Sequence, residues 1–550
     1  MKSLLTALAL LLLPGVALSQ PATPIDPQRL SDHVKVLASD AFEGRGPATP
    51  AETKTIDYIV GQMKTLGLKP AGEKGGWTQD VTLARFQATG PIDISMTYGG
   101  QAHKLTQTNE IVVSTSRPID RVAVDNAPLV FVGYGVTAPE QGWDDFKGLD
   151  VKGKMIVVLV NDPDFEAKPG DTAIGKFGGK AMTYYGRWTY KHEEAARRGA
   201  LGIIIVHETE PASYGWNTVK NSWSGPGFDV VRPDASAAHS LVESWIQRDL
   251  AVALFKASGL DFEAEKARAR NTAFTPVELK GAALSAHYAV DHTVTVTHNI
   301  LGKIEGSARP NEIVFYSGHW DHFGIGEPDA KGDKIYNGAI DNADGIAAIL
   351  EIAREFKKRP APKRTVLFMA AAAEEQGLLG SEYYATHPLY PLGKTVANIN
   401  IDALSGSGPA RDVSVSGDSK GELQDMLVAE AEKEGRRFTP DSEPGAGHFY
   451  RSDHFPFSKQ GVPALSIESG MDLYQGGAAA GEAKRKAYVD DRYHQPSDQW
   501  DASIDFNGMA LDAGLAFKLG NGLANSGRWP GWKPESEFKA ERDKTAAERR

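Results

Sequence analysis

The stretch VLFMAAAAEEQGLLGS, residues 366–381, ends an apolar run on two adjacent glutamates, Glu374 and Glu375. Neighbouring carboxylates at the end of a buried segment repel each other and oppose folding unless a positive group meets them. Other stretches carry groups of the same kind. HWDH supplies His319 and Asp321, NGAIDNADG supplies Asp341, NINIDAL supplies Asp402, and DRYHQPSD supplies His494. The chain has no cysteine, so any metal centre must be built from His, Asp and Glu. Imidazole nitrogen and carboxylate oxygen are donors that zinc accepts. A pair of divalent ions would account for the two glutamates, one as a ligand and the other free as a base beside the metal-bound water. Two metals roughly 3.5–4 Å apart form a known hydrolytic arrangement.

These residues need a scaffold that brings them together. Apolar strands are expected at NEIVFYSG, RTVLFMAAA, VANINIDAL, DVSVSG and PALSIES, with amphipathic helices between them. In DNADGIAAILEIAREFKK, for example, Ile346, Ile349, Leu350 and Ala353 share one helical face. The alternation predicts an α/β domain with a mostly parallel or mixed sheet flanked by helices. Binding crevices in such sheets form outside the carboxyl ends of the strands. His319, the glutamate pair and Asp402 each follow an apolar strand and should meet at one edge. Taken singly, Asp341 reads as a helix cap and His494 as a surface histidine. Their coincidence with the strand-end residues favours a site.

At 550 residues the chain should hold two or three domains. Hydrophobic residues make up 41% and charged residues 24%, a soluble globular composition. The net charge of −11 argues against nucleic acid and anionic membrane as partners. Lys2, the apolar run from Leu4 to Leu13 and the small residues Ala17 and Ser19 match a cleavable signal over residues 1–19. No later segment is apolar enough to span a bilayer, so the expected location is secreted or periplasmic. Residues 20–124 read as the N-terminal part of the main domain and 125–260 as a β-rich insert. Residues 261–525 read as the catalytic domain, and 526–550 as a charged, peripheral tail.

Three local patterns compete with the metal reading. HEEAA at His192 starts like a zinc-binding helix, but position 196, where the second histidine should fall, is Ala196. GDSKG places Ser419 between a strand and a helix, as a nucleophilic serine requires; the bland reading is a turn capping the helix. GKFGGK near Gly175 lacks phosphate-loop spacing.

SGHWDH, NGAIDNADG, AAAAEEQGLLGSEYYA, NINIDAL, YRSDHFPFSKQGVPAL and YHQPSD, in this order, resemble the M28 metallopeptidases, a family of co-catalytic zinc enzymes with the zinc-exopeptidase (phosphorylase/hydrolase-like) fold. The segment 125–260 resembles, less specifically, a protease-associated (PA) domain. The resemblance implies two zinc ions, with manganese or cobalt as other ions such donors accept. Asp341 would bridge them, His319 and Asp402 would complete one site, and Glu375 and His494 the other. Glu374 would act as general base on a zinc-bridging water, and Asp321 would fix the tautomer of His319. The oxyanion donor would be a tyrosine, Tyr493 or Tyr450, with Tyr493 favoured.

The resemblance implies peptide substrates and, first, an exported aminopeptidase. A carboxypeptidase or dipeptidase of the same family would hold a substrate carboxylate with arginines. Arg451 and Arg492 flank the motifs, but so do Asp490, Asp491 and Glu443, and the choice stays open at this stage. A glutaminyl cyclase, a serine hydrolase using Ser419 and a receptor-like protein are the remaining alternatives. The complete ligand set counts against the cyclase and the receptor.

Overall fold

The computed structural model describes residues 21–549, residue 224 excepted; the signal segment 1–19 lies outside the described residues. Helices α1 (Pro27–Leu37) and α2 (Pro50–Thr65) open the fold, each with proline in its first turn, where a missing N–H costs nothing. Strand β1 (Thr78–Tyr98) follows. It pairs antiparallel along most of its length with an even longer strand, introduced below, with a register shift between His287 and Ala289. The turn-like GP at 90–91 falls in that shift, between the pairs Thr89–Ala289 and Asp93–His287, so the strand bulges there instead of turning back.

Residues 121–247 hold β2 (Arg121–Phe131), β3 (Met155–Leu159), helix α3 (Trp188–Arg197), β4 (Gly202–His207) and β5 (Val242–Gln247). Neighbours β2 to β5 run parallel in that order. The apolar runs MIVVL and GIIIVH are buried at every position, as strands covered on both faces must be. A hydrophobic core around Phe131, Val157, Ile204 and Phe255 also takes in Phe86, Met96 and Tyr288, residues outside 125–260.

Strand β6 (Val277–Ile304) is the longest element and ties the two regions together. Its first part pairs with β2, its middle with β1, and Ile300–Ile304 with β8. The main elements after it are β7 (Arg309–His319), α4 (Asp344–Lys357), β8 (Arg364–Ala371), β9 (Thr395–Ile401), β10 (Asp412–Val415), β11 (Ala464–Ser469), α5 (Gly477–Asp491) and α6 (Phe506–Asn525). The sheet order here is β10-β11-β9-β7-β8-β6. The pairs β8/β7, β7/β9 and β9/β11 are parallel, while the two flanks, β6/β8 and β10/β11, are antiparallel. The result is the mixed α/β sheet flanked by helices that the alternation predicted.

The C-terminal segment is not peripheral. Trp532 and Phe538 are buried against Phe449, Tyr450 and Phe455, and two of its charged residues turn inward as well, Glu537 accepting from Tyr450 and the buried Arg542 donating to the Thr395 carbonyl. Among the described residues no helix is long and apolar enough to cross a membrane.

Candidate metal centre

The carboxyl ends of β7, β8 and β9 converge, as parallel neighbours must. His319 is the last residue of β7, Glu374 and Glu375 follow β8 by three and four residues, and Asp402 follows β9 directly. His319 Nε2 stands 3.1 Å from Asp402 Oδ1, 3.3 Å from Asp341 Oδ1 and 3.8 Å from Glu374 Oε2. His494 Nε2 stands 3.2 Å from Asp341 Oδ2 and 3.5 Å from Glu375 Oε2. One carboxylate, Asp341, thus faces a different histidine with each of its oxygens. Potential donor atoms of His319, Asp341 and Glu375 lie within 4.8 Å of one another, and so do those of His319, Glu374 and Asp402.

The donor chemistry fits divalent ions. The side chains of Glu374 and Glu375 are only 10% and 4% exposed, and Asp341 is buried. Carboxylates so enclosed need a compensating positive charge. Their field overcomes the burial of His319, with Glu374 and Asp402 holding its imidazole well above the usual histidine range. Burial pushes the Glu374 carboxyl well above its ordinary value, against the pull of His319 and with the help of Asp402 and Glu375.

Local backbone geometry aims these groups. Ala373, immediately before the glutamate pair, Ala403, immediately after Asp402, and His494 itself all have φ between 53° and 58°. Left-handed non-glycine residues cost on the order of 1–3 kcal/mol each and cluster where a site requires them. The peptide Asp341–Asn342 is cis. Asn342 closes the turn into α4, its Oδ1 accepting from the Gly345 N–H at 2.9 Å and its Nδ2 donating to the Ile401 carbonyl at 3.1 Å. A Cβ at position 345 would stand 2.1 Å from Asn342 Oδ1, so only glycine fits there.

The other expected site residues are placed as follows. His319 Nδ1 lies 3.1 Å from the main-chain carbonyl of Asp321 and 3.8 Å from its carboxylate. The Asp321 carboxylate instead accepts the Glu374 N–H at 3.1 Å, tying the ends of β7 and β8 together. Tyr493 stacks on His494 with ring centroids 3.8 Å apart. Tyr450 is buried and donates its hydroxyl to Glu537. The Ser419 hydroxyl is buried without a hydrogen-bond partner, and the Ser419 N–H donates to Gln424 of the next helix, in keeping with a turn.

Several supporting residues escaped sequence reasoning. His322, fully buried, hydrogen-bonds Glu375 through Nδ1; the second histidine of HWDH was its only signal. Asp498 Oδ2 accepts the N–H groups of Ile340 and Asp341 at 3.0 and 3.1 Å. Ser452 donates to Asp402 Oδ2 at 2.6 Å and accepts from Asn400. Arg45, buried, donates to the carbonyls of Trp320, Asn337 and Gly338, bracing two site loops from the N-terminal segment.

Residues 299–512 match the sequence profile of peptidase family M28. Every residue of the centre lies within this matched stretch. The chain is 37% identical over 108 residues to a probable zinc metalloprotease of Pyrenophora tritici-repentis, a match covering 20% of this chain and 24% of that protein. Two similar matches to Pyrenophora teres proteins cover 23% and 25% of those proteins, so the chain spans about a quarter of the length of these fungal relatives. It is 22% identical over 496 residues, 86% of this chain and 80% of the other, to the probable lipoprotein aminopeptidase LpqL of Mycobacterium tuberculosis. A solved aminopeptidase from Aneurinibacillus sp. strain AM-1 aligns at 19% identity and TM-score 0.47, covering 90% of this chain and 93% of that one.

The centre opens into a cavity of about 1280 Å³. Glu374, Asp402 and His494 line it, together with Arg187, His192 and Asp229 from the 121–247 region.

Proposed function

We propose that the protein is an exported zinc-dependent aminopeptidase that binds two zinc ions and releases N-terminal residues from peptides. The observation that carries this reading is Asp341 between two histidines, one on each carboxylate oxygen, the disposition a bridging ligand needs. His319 and Asp402 would hold one ion, and Glu375 and His494 the other. Zinc bound there supplies Lewis-acid polarisation of the scissile carbonyl and makes a water nucleophile available at neutral pH.

Glu374 is the general base. Its carboxylate takes a proton from the attacking water and passes it to the leaving amine nitrogen as the C–N bond breaks. Its enclosure, which raises its proton affinity, supports that shuttle. The Tyr493 hydroxyl, free of the bond that occupies Tyr450, is the donor to the developing oxyanion. The segment 125–260, a PA-like insert in this reading, narrows the cleft to short peptides. A kcat/KM that does not fall as peptides lengthen would refute that role.

The deciding experiment incubates the full-length protein with paired peptides, one with a free and one with an acetylated N-terminus, followed by mass spectrometry. Stepwise loss from the free N-terminus alone, abolished in Glu374→Gln, is expected. Trimming of both peptides from the C-terminus would replace the aminopeptidase with a carboxypeptidase.

A further inference from the structure

We propose that the open edge of β6 around Thr295 pairs antiparallel with the same segment of a second copy of this chain, making a two-fold dimer.

Strand β6 is paired on both edges for most of its length. Its ladder with β2 ends at the Ala289–Arg121 pair, and its ladder with β8 begins at Ile300. Between those points β1 occupies one edge, and among the described residues no strand occupies the other. The far edge of β1 is itself covered there, by Gly227–Val230. The Val290 N–H donates to the Asp120 carbonyl at 2.9 Å, on the β2 side. Backbone groups of alternate residues point to the same edge of a strand, so those of His292, Val294 and Val296 face the open side. The His298 carbonyl, next in that series, is taken by Trp320 Nε1 at 2.9 Å, which closes the open stretch.

Exposed edges are normally blunted by charge, proline or a bulge. The register shift of β6 lies earlier, between His287 and Ala289, and the open stretch at 292–298 is HTVTVTH, with neither proline nor lysine. Val294 and Val296 are 65% and 42% exposed, although valine is among the most regularly buried residues. Phe323 and Ile325, also exposed, line a small cavity together with Thr295, so apolar surface continues beside the edge.

The order of residues selects a second copy as the occupant. HTVTVTH is the same in both directions, and a two-fold contact sets residue i against j and j against i. With the axis at Thr295, Val294 meets Val296 of the other copy, Thr293 meets Thr297, and Thr295 meets itself. The valines, whose backbone groups point outward, then form hydrogen-bonded pairs that exchange N–H and C=O partners. The Thr297 hydroxyl, buried without a hydrogen-bond partner, comes opposite Thr293 of the second copy, and cross-strand threonine pairs are favourable. Moving the axis to Val294 would set His292 against Val296 and Asp291 against the buried Thr297, so the palindrome fixes the register.

The chain has no cysteine, so one introduced thiol reports that register. Thr295→Cys lies on the axis, where opposite Cα atoms of a non-hydrogen-bonded pair are about 4.5 Å apart, within disulfide reach. Thr293→Cys would stand roughly 14 Å from its counterpart along the strand, beyond that reach. Sedimentation equilibrium of the full-length protein should give a mass that rises with concentration towards twice that of one chain. Val294→Lys should hold it at the monomer with an unchanged circular dichroism spectrum. Under mild oxidation Thr295→Cys should run as a covalent dimer on a non-reducing gel, and Thr293→Cys should not. A monomeric mass throughout the series, a dimer that Val294→Lys leaves intact, or cross-linking of Thr293→Cys in place of Thr295→Cys would overturn the proposal. Protection of the 292–297 amides from hydrogen exchange only when a peptide is added would also overturn it, giving the edge to a peptide strand.

Discussion

Tyr450 donates its hydroxyl to Glu537 at 2.8 Å, fastening the wall of the cleft to the C-terminal segment. A phenol so engaged is not free to serve a reacting carbonyl. Tyr450→Phe should therefore lower kcat less than threefold, by ~0.6 kcal/mol at most. Tyr493→Phe should lower it by roughly 10²- to 10³-fold, the usual loss of one oxyanion donor. Steady-state kinetics on one chromogenic substrate separates the two, and equal losses would contradict the assignment.

The same docking has a stability consequence. Trp532 and Phe538 are buried in the aromatic cluster beneath Tyr450, and large-to-small changes at buried aromatics cost about 3–5 kcal/mol. Trp532→Ala should lower the denaturation midpoint by a corresponding amount. A midpoint unchanged within error would mean that the segment does not dock in solution.

Ser452 positions Asp402 through a 2.6 Å hydrogen bond. Losing such a support to a ligand typically weakens metal binding by about 10- to 100-fold. Ser452→Ala should show that weakening in a competition titration against a zinc chelator, with the fold retained by circular dichroism. Glu374→Gln, by contrast, should keep its zinc and lose about 10²- to 10⁴-fold in kcat.

Chelation should also destabilise the protein, because an ion bound only to the folded state stabilises it and its removal leaves the enclosed carboxylates uncompensated. The unfolding temperature should fall on dialysis against a chelator and recover on adding zinc.

His239 provides a pH test away from the centre. Burial opposes its charge, but hydrogen bonds to Asp229 at 2.8 Å and Glu243 at 3.0 Å prevail and raise it to about 10. A raised histidine stabilises the fold fully below its unfolded pKa near 6.5, and that contribution is lost as pH climbs towards 10. Stability measured by urea unfolding should decline over that window, and His239→Gln should flatten the decline. An identical slope in the variant would rule out this histidine as the cause.

The sequence by itself determined the α/β class and the residues that meet in the centre. The reason is local: short apolar runs such as VLFMAA, alternating with amphipathic helices, read as buried strands, and polar residues directly after them fall at the carboxyl edge of the sheet. His319, Glu374, Glu375 and Asp402 were legible on those grounds. Asp341 and His494, which come from a turn and a loop, needed the company of the others.

Only the tertiary structure decided how the centre is braced and what faces it. Arg45 reaches Gly338 across 293 positions of sequence, Ser452 reaches Asp402 across 50, and Tyr450 reaches Glu537 across 87. No periodicity records such pairings, because each depends on where distant loops come to rest once the cores have packed. The same is true of Arg187, His192 and Asp229, which line the cavity of the centre although they lie far from it in the sequence.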